Sequence, residues 1–141
     1  IFSDEPMNIR AQMLEVPLSE RLTYDAGKNL FFVNFAGLNV RSADDIARIR
    51  QAVDESLKAV GHKVNAIVNY DHFSIQPELI DDYIAMVKEV VDRYYHDVTR
   101  YTSNTFLRVK LGEALEKRHL APHLYESAGE AEASLPSVDR S

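Results

Sequence analysis

Stretches of strand length, rich in β-branched and aromatic residues, alternate with longer stretches of helical periodicity along most of this chain. The first two strand-like runs, residues 20–25 and 29–37, are joined by three residues that include Gly27, which predicts a β-hairpin. After the hairpin, helices and strands alternate, and a strand–helix–strand order requires crossovers between parallel strands. The sequence therefore predicts one α/β domain, in which a hairpin opens a mixed sheet of about five strands with about four helices.

Capping and turn residues mark where the predicted elements begin and end. Gly61 closes the first helix, and Ser127 with Glu130 forms a Ser-x-x-Glu box that opens a last helix running to about Leu135. The residues predicted to begin the helices are Ser42, Pro77, Thr102 or Ser103, and Ser127. The strands predicted after the hairpin are residues 64–70, 97–101 and 122–126.

The length of 141 residues fits one domain, and a hydrophobic share of 45% is enough for a core without disulfides or metal. We expect residues 1–20 to be a linker from a preceding domain, with a short helical turn at residues 9–14. Residues 21–135 form the predicted domain, and residues 136–141 a disordered tail. The chain begins with Ile1 rather than Met, which favours a piece of a longer protein.

The charge, the cysteine count and the hydropathy argue against several classes of protein. A net charge of −6 does not suit nucleic-acid binding, which needs a concentrated basic surface. The chain has no cysteine, hence no disulfide or thiolate chemistry, which is typical of a reducing, cytoplasmic setting. No stretch reaches the roughly 18–20 apolar residues of a membrane span, so no membrane partner is predicted.

A polar run, Asn69-Tyr70-Asp71-His72, follows the apolar strand, at the end of a strand where open α/β sheets bind their ligands. Asp71 and His72 could supply a general base and its orienting partner. Alternatively, Asn69 and Asp71 make local turn hydrogen bonds while Tyr70 plugs the end of the core. The second interpretation is favoured because neighbouring side chains in a strand-to-loop segment point apart.

A second polar run, Arg100-Tyr101-Thr102-Ser103, lies between a predicted strand and the next helix. Exposed backbone N–H groups, hydroxyls and an arginine at a helix N-terminus are the parts of an anion site. Serine and threonine are also preferred helix caps, and capping is the favoured interpretation. Together the two runs make up the candidate contact surface: Asn69, Tyr70, Asp71, His72, Arg100, Tyr101, Thr102 and Ser103.

Neither a metal site nor a cofactor site is predicted in this chain. His119 and His123 are four residues apart, but Pro122 between them breaks any helix that would align them as ligands. The scattered glycines match no phosphate loop, nucleophile elbow or dinucleotide fingerprint. The residue patterns alone therefore make the chain an unconvincing stand-alone enzyme.

Four stretches of the chain resemble a known family. They are ERLTYDAGKNLFFVNFAGLNVR (residues 20–41), AIVNYDHFSIQPELIDDY (66–83), VTRYTSNTFLRVKLGEAL (98–115) and APHLYES (121–127). They resemble the C-terminal extension of some bacterial acyl-CoA:acetate/3-ketoacid CoA-transferases, the propionate CoA-transferase group. The likeness covers roughly residues 1–135, and IFSDEPMNI looks like the end of the preceding transferase domain.

This resemblance implies a parent enzyme that moves coenzyme A between an acyl-CoA and a carboxylate through a thioester on a glutamate in a Glu-x-Gly context. No glycine of this chain has a glutamate two positions before it; those positions hold Asp25, Phe35, Ala59, Lys110 and Ser127. The family's glycine-rich CoA-binding loop is absent as well. The catalytic residues are therefore not carried over, and CoA or acyl-CoA is expected only as the substrate of the parent transferase.

The element order also resembles the STAS (SpoIIAA-like) fold of anti-sigma antagonists and transporter tails. Antagonists of that type carry a phosphorylatable serine in an Asp-Ser-x-Gly turn after the third strand. Ser74 lies near the corresponding place, but the Asp-Ser-x-Gly pattern is missing. The resemblance therefore implies a STAS-like sheet without implying a phosphoswitch.

The expected function is that of a non-catalytic C-terminal accessory or regulatory domain of a CoA-transferase. Such a domain packs on the transferase domain of its own parent chain, helps oligomer assembly, or senses an acyl or nucleotide ligand; a homo-oligomer is left open. Two alternatives remain at this point. One is an independent STAS-type protein-interaction module, and the other is a small enzyme that uses Asp71 and His72.

Overall fold

The computed structural model describes residues 17–135 of the chain. Residues 1–16 and 136–141 lie outside the described residues, and with them most of the predicted linker, its predicted helical turn and the predicted tail. The described part begins with a 3-10 turn, Leu18–Glu20, before the first strand. Among residues 17–135, no helix is both long and apolar enough to cross a membrane.

Strands and helices then alternate after an opening pair of strands. The strands are β1 (Leu22–Asp25), β2 (Leu30–Asn34), β3 (Asn39–Val40), β4 (Val64–Asn69), β5 (Ser74–Ile75) and β6 (Tyr95–Tyr101). The α-helices are α1 (Ala43–Leu57), α2 (Ile80–Tyr94), α3 (Thr105–Lys117) and α4 (Ala128–Ser134). A second 3-10 turn, Pro77–Leu79, leads into α2, so Pro77 begins that turn rather than the α-helix itself.

The main sheet has the strand order β1-β2-β4-β6. β1 and β2 form the predicted antiparallel hairpin, whereas β2, β4 and β6 run parallel to one another. A separate parallel pair, β3 with β5, was not predicted because each of its strands has two residues and leaves no periodic signal. The prediction of a mixed α/β domain that opens with a hairpin is confirmed.

The last predicted strand, residues 122–126, is wrong. The structure has a single parallel bridge there, between Tyr101 and Tyr125. Tyr125 N donates to Arg100 O at 2.8 Å, and Thr102 N donates to Tyr125 O at 2.9 Å. Pro122 has no N–H group with which to extend this pairing towards the N-terminal side.

The predicted start of α3 is wrong by one or two residues. Asn104 is its cap, and the Asn104 Oδ1 atom accepts from Leu107 N at 2.9 Å. Thr102 is buried, and its hydroxyl accepts instead from Asn104 N at 3.2 Å. Ser103 is engaged by an acidic side chain of another loop, as described below.

Successive residues of a strand point to opposite faces, so the main sheet has a front face and a rear face. The helices that cover these two faces differ in number and length. The front face, which packs with α1 and α2 in the main core, carries Phe31, Val33, Ala66, Val68 and Arg100. The rear face, which α4 covers, carries Leu30, Phe32, Asn34, Ile67, Asn69 and Tyr101. The spacing of Ile46, Ile49, Val53 and Leu57 points the apolar side of α1 to the front face, as its periodicity predicts.

Candidate functional site

The carboxyl ends of the three parallel strands meet at one edge of the sheet. Asn34 of β2 is paired in register with Asn69 of β4, and Asn69 with Tyr101 of β6. These three side chains therefore form a row across the rear face. We call this region the carboxyl edge, and it is where open α/β sheets present ligand-binding groups.

The structure divides the predicted contact surface between the two faces. Tyr70, Arg100 and Thr102 are buried, with Tyr70 and Arg100 on the front side of the sheet. The other predicted residues keep access to solvent: Asn69, Asp71, His72, Tyr101 and Ser103. The adjacent residues Arg100 and Tyr101 thus have separate environments, which follows from the twofold alternation of a strand.

Asp71 fastens the loops of the carboxyl edge to one another. Its Oδ1 atom accepts from Ser103 N at 2.7 Å and from Ser103 Oγ at 3.1 Å. Its backbone oxygen accepts from Gly37 N at 3.0 Å, and its own N–H donates to Asn69 Oδ1 at 2.8 Å. We call this arrangement of Asp71 with Ser103 and Gly37 the Asp71 clasp. It joins the segments that follow β2, β4 and β6.

His72 does not complete an acid–base pair with Asp71. No hydrogen bond or ion pair joins their side chains, and His72 is exposed and has a left-handed backbone with φ 58°. A catalytic histidine needs a carboxylate or another group that fixes its tautomer and orientation. Asp71, the carboxylate predicted for this purpose, accepts hydrogen bonds from Ser103 instead.

The anion-site interpretation of the second run is not supported by the contacts at the start of α3. The Ser103 N–H is occupied by the Asp71 carboxylate, and Asn104 caps the helix with its own side chain. Arg100, which was to supply the positive charge, is buried and donates from Nη1 to Ala121 O at 3.3 Å. A carboxylate already occupies the place where an anion would bind. The cap of α3 is Asn104, next to this run, rather than the predicted Thr102 or Ser103.

A pocket of about 250 Å³ lies on the rear face beside the carboxyl edge. Phe32 and Ile67 supply apolar walls, and Ala128 and Glu132 of α4 line the side away from the strands. The polar lining consists of Asn34, Asn69, Tyr101 and Glu132. The pocket therefore combines a small apolar surface with amide, phenol and carboxylate groups.

The two asparagines of this pocket have one half of each amide engaged. Asn34 Oδ1 accepts from Ala36 N at 3.0 Å, and Asn69 Oδ1 accepts from Asp71 N at 2.8 Å. Their Nδ2 groups have no hydrogen-bond partner among the residues that the structure describes. Each asparagine therefore keeps two N–H donors available to a contacting molecule.

Tyr101 adds a phenol that stays protonated. Partial burial raises its pKa, and the negative charges of Asp71 and Glu132 raise it further. The hydroxyl is therefore a hydrogen-bond donor over the whole physiological pH range. Its two acidic neighbours also make this corner of the surface negative.

Sequence reasoning missed Asn34, Phe32 and Glu132 as parts of this region. The position of Asn34 beside Asn69 depends on the register between two strands that a helix separates in sequence. Glu132 reaches the region because α4 packs on the rear face. No signal in the sequence could have placed α4 there. Within residues 17–135, no group of three or more histidine, aspartate or glutamate side chains is arranged to hold a metal ion.

Comparison with known proteins adds no relative. No protein family, curated protein or solved structure matches this chain. The resemblance to the CoA-transferase extension therefore rests on the sequence stretches alone, the resemblance to the STAS fold rests on the order of the elements, and both stay predictions.

Proposed function

We propose that this chain is a non-catalytic accessory domain of a CoA-transferase, and that its carboxyl edge is the surface that contacts the transferase domain. The parent would move CoA between an acyl-CoA and a carboxylate, with CoA and acyl-CoA as its substrates. The setting that we propose is cytoplasmic. The observation that carries the proposal is the Asp71 clasp. In the clasp, the carboxylate that the sequence suggested as a general base holds loops together instead.

Fastened loops suit a docking surface. Besides the Asp71 clasp, Ser74 N donates to Leu38 O at 2.9 Å and Ser74 Oγ donates to Asn39 Oδ1 at 2.9 Å. These bonds belong to the pair of β3 with β5, which ties the segment after β2 to the segment after β4. A surface whose loops are already ordered loses less conformational entropy when a partner binds.

An exposed aromatic residue lies next to the fastened loops. Phe106, near the start of α3, is 71% exposed, and Lys110 Nζ lies 5.7 Å from the centre of its ring. It lines a groove of about 710 Å³ with Phe73, Ser74 and Ile75, which directly follow His72. Large exposed aromatic residues are frequent anchors of protein contacts, so Phe106 favours a protein partner at this edge.

The coding sequence upstream of Ile1 is the first test. The proposal expects a transferase domain in the same reading frame, with a glutamate in a Glu-x-Gly context. A start codon directly before Ile1 would contradict the proposal and favour the independent STAS-type interaction module.

The second test compares matched variants in the full parent protein. His72 and His62 are exposed residues that lie beyond opposite ends of β4. We expect His72→Glu to weaken packing of the domain on the transferase domain, seen as faster proteolytic cleavage between them, while His62→Glu behaves as wild type. Phe106→Glu and Val109→Glu form a second pair on α3, where both residues are exposed but line different grooves. Equal behaviour of the two members of both pairs would refute the contact surface.

The enzyme alternative is tested with the chain alone. Turnover of acyl-CoA with acetate that disappears in both Asp71→Asn and His72→Ala would favour a small enzyme and overturn the accessory function. Asp81→Asn is the control, because Asp81 is an exposed carboxylate in the first turn of α2. We expect no turnover from the wild-type chain, since its catalytic glutamate would reside in the parent transferase domain.

A further inference from the structure

A buried arginine without an ionic partner lies in the main core. Arg100 is 2% exposed, and among the described residues it forms no ion pair. Nη1 donates to Ala121 O at 3.3 Å, but Nη2 is buried and makes no hydrogen bond of acceptable length and angle. An arginine cannot lose its proton in a protein, so a positive charge is buried here without compensation.

Other arginines of the chain show how such a charge is normally compensated. Arg50 forms ion pairs with Asp54 at 3.3 Å and with Glu89 at 3.1 Å. Arg108 forms one with Glu126 at 3.3 Å. Arg100 is more deeply buried than either, and burial without a partner is costly for a charged group. A nearby negative charge would compensate this cost, and the described residues do not supply one.

The polar side chains that share a cavity with Arg100 are neutral phenols. Tyr70, Tyr83 and Tyr95 line the same cavity as Arg100. Burial raises the pKa of Tyr70, even though the charge of Arg100 opposes the rise. Burial also raises the pKa of Tyr83 and the pKa of Tyr95. All these phenols therefore stay protonated at neutral pH and offer O–H donors rather than negative charge.

The cavity has a volume of about 30 Å³, and apart from Arg100 and the tyrosines it is lined by apolar side chains. This is enough for one water-sized or halide-sized species and too little for phosphate or sulfate. Tyr70 Oη and Tyr83 Oη are 2.8 Å apart, so one hydroxyl donates to the other and one proton of this pair remains available. The Tyr95 hydroxyl has no hydrogen-bond partner among the described residues.

We propose that this cavity binds a single monatomic anion, of which chloride is the common example. Arg100 Nη2 supplies the charge and one donor, and the phenols of the Tyr70–Tyr83 pair and of Tyr95 supply the others. A halide fits both the volume and the excess of donors, because it accepts hydrogen bonds and donates none. The site lies in the core of the front face, directly behind the carboxyl edge, and its test does not depend on the proposed function.

The test is the thermal unfolding of the purified chain at constant ionic strength, with sodium chloride exchanged for sodium gluconate. An anion that binds the folded state alone raises Tm with increasing concentration, and gluconate is too large for the cavity. We expect Tm to rise with chloride and with bromide. The rise should be lost in Arg100→Met and kept in Arg118→Met, whose arginine is exposed.

A second variant keeps the test decisive if Arg100→Met does not fold. Tyr95→Phe preserves the ring and the charge of Arg100 while removing one donor, and should raise the half-saturating chloride concentration about tenfold. A bromide-soaked crystal should show an anomalous peak beside Arg100 Nη2. A Tm independent of chloride, or a cavity that holds water with no bromide peak, would overturn the proposal.

Discussion

The two faces of the main sheet are built from the same strands but differ in how completely they are covered. On the front face, Phe31 is fully buried beneath α1 and α2. On the rear face, its neighbour Phe32 is half-buried, and the cover is α4, a helix of 7 residues. The difference indicates that the front face supplies most of the stability, whereas the rear face keeps surface available for contacts.

Truncation of Phe31 and of Phe32 should give the largest difference in unfolding free energy between the two faces. Phe31→Ala should lower the free energy of unfolding by about 3–5 kcal/mol, the usual cost of an aromatic truncation in a full core. Phe32→Ala should cost about 1–2 kcal/mol, because its side chain is already partly solvated. Urea unfolding of the two variants measures the difference. Equal losses would show that the rear face is as tightly packed as the front.

The Asp71 clasp lies where the two faces meet at the carboxyl edge. Asp71→Ala removes two hydrogen bonds from Ser103 and should cost about 1–2 kcal/mol of unfolding free energy. Asp92→Ala is the control, since Asp92 is exposed and pairs with Lys88 one helical turn away, an interaction worth about 0.3–0.5 kcal/mol. If the two variants are equally stable in chemical denaturation, the clasp does not hold the loops.

Two serine caps of the same geometry, one on a front-face helix and one on the rear-face helix, allow the same comparison with smaller changes in stability. Ser42 Oγ accepts from Asp45 N at the start of α1, and Ser127 Oγ accepts from Glu130 N at the start of α4, both at 3.3 Å. Ser42→Ala should lower the global unfolding free energy by about 1 kcal/mol. Ser127→Ala should mainly reduce the hydrogen-exchange protection of α4, because this short rear helix opens locally. Loss of protection throughout the sheet in Ser127→Ala would contradict the comparison.

The smallest change in stability is expected from the acid titration of Asp54, which lies on the outer side of the front layer. Burial alone would raise the pKa of Asp54, but hydrogen bonds from Tyr94 and Arg50 and the charges of Arg50 and Arg93 lower it below its ordinary value. A depressed folded pKa stabilises the protein above the unfolded pKa of about 3.9, and this stabilisation is lost as the pH falls through the folded value. Since Asp54 is partly exposed, we expect no more than about 0.5–1 kcal/mol.

This effect is measured by unfolding wild type and Asp54→Asn between pH 2 and about pH 6. The wild type should lose more stability than the variant as the pH falls below about 4. Parallel pH profiles would show that Asp54 keeps an ordinary pKa in the folded protein. Asp44→Asn, at a carboxylate that is 70% exposed, provides the control.

The sequence predicted those features that depend on local patterns. The hairpin at Gly27, the periodic face of α1 and the cap at Ser42 all lie within a few residues of the signals that predict them. The row Asn34–Asn69–Tyr101 could not be predicted, since it depends on the register of strands that are distant in the chain. The alternation of Arg100 and Tyr101 is local, but which face each would meet depends on where the helices pack.

The candidate site was predicted as a set of neighbours in sequence, and the structure regroups it. Asp71 contacts Ser103, a residue of the other predicted run, rather than His72 beside it. The short pair of β3 with β5 and the placement of α4 are likewise tertiary in origin. The sequence predicted that Tyr70 is buried at this edge of the sheet, as the structure shows, but not that Arg100 and Thr102 are buried there too.

The Asp71 clasp also has a consequence for folding kinetics. It joins residues 71 and 103, which directly follow β4 and β6, two paired strands that α2 separates in sequence. A contact that needs both strands in place is expected to form after the rate-limiting step of folding. Asp71→Ala should therefore speed unfolding and leave the refolding rate nearly unchanged in stopped-flow experiments. The clasp therefore determines how slowly the folded protein unfolds, and not how quickly the sheet assembles.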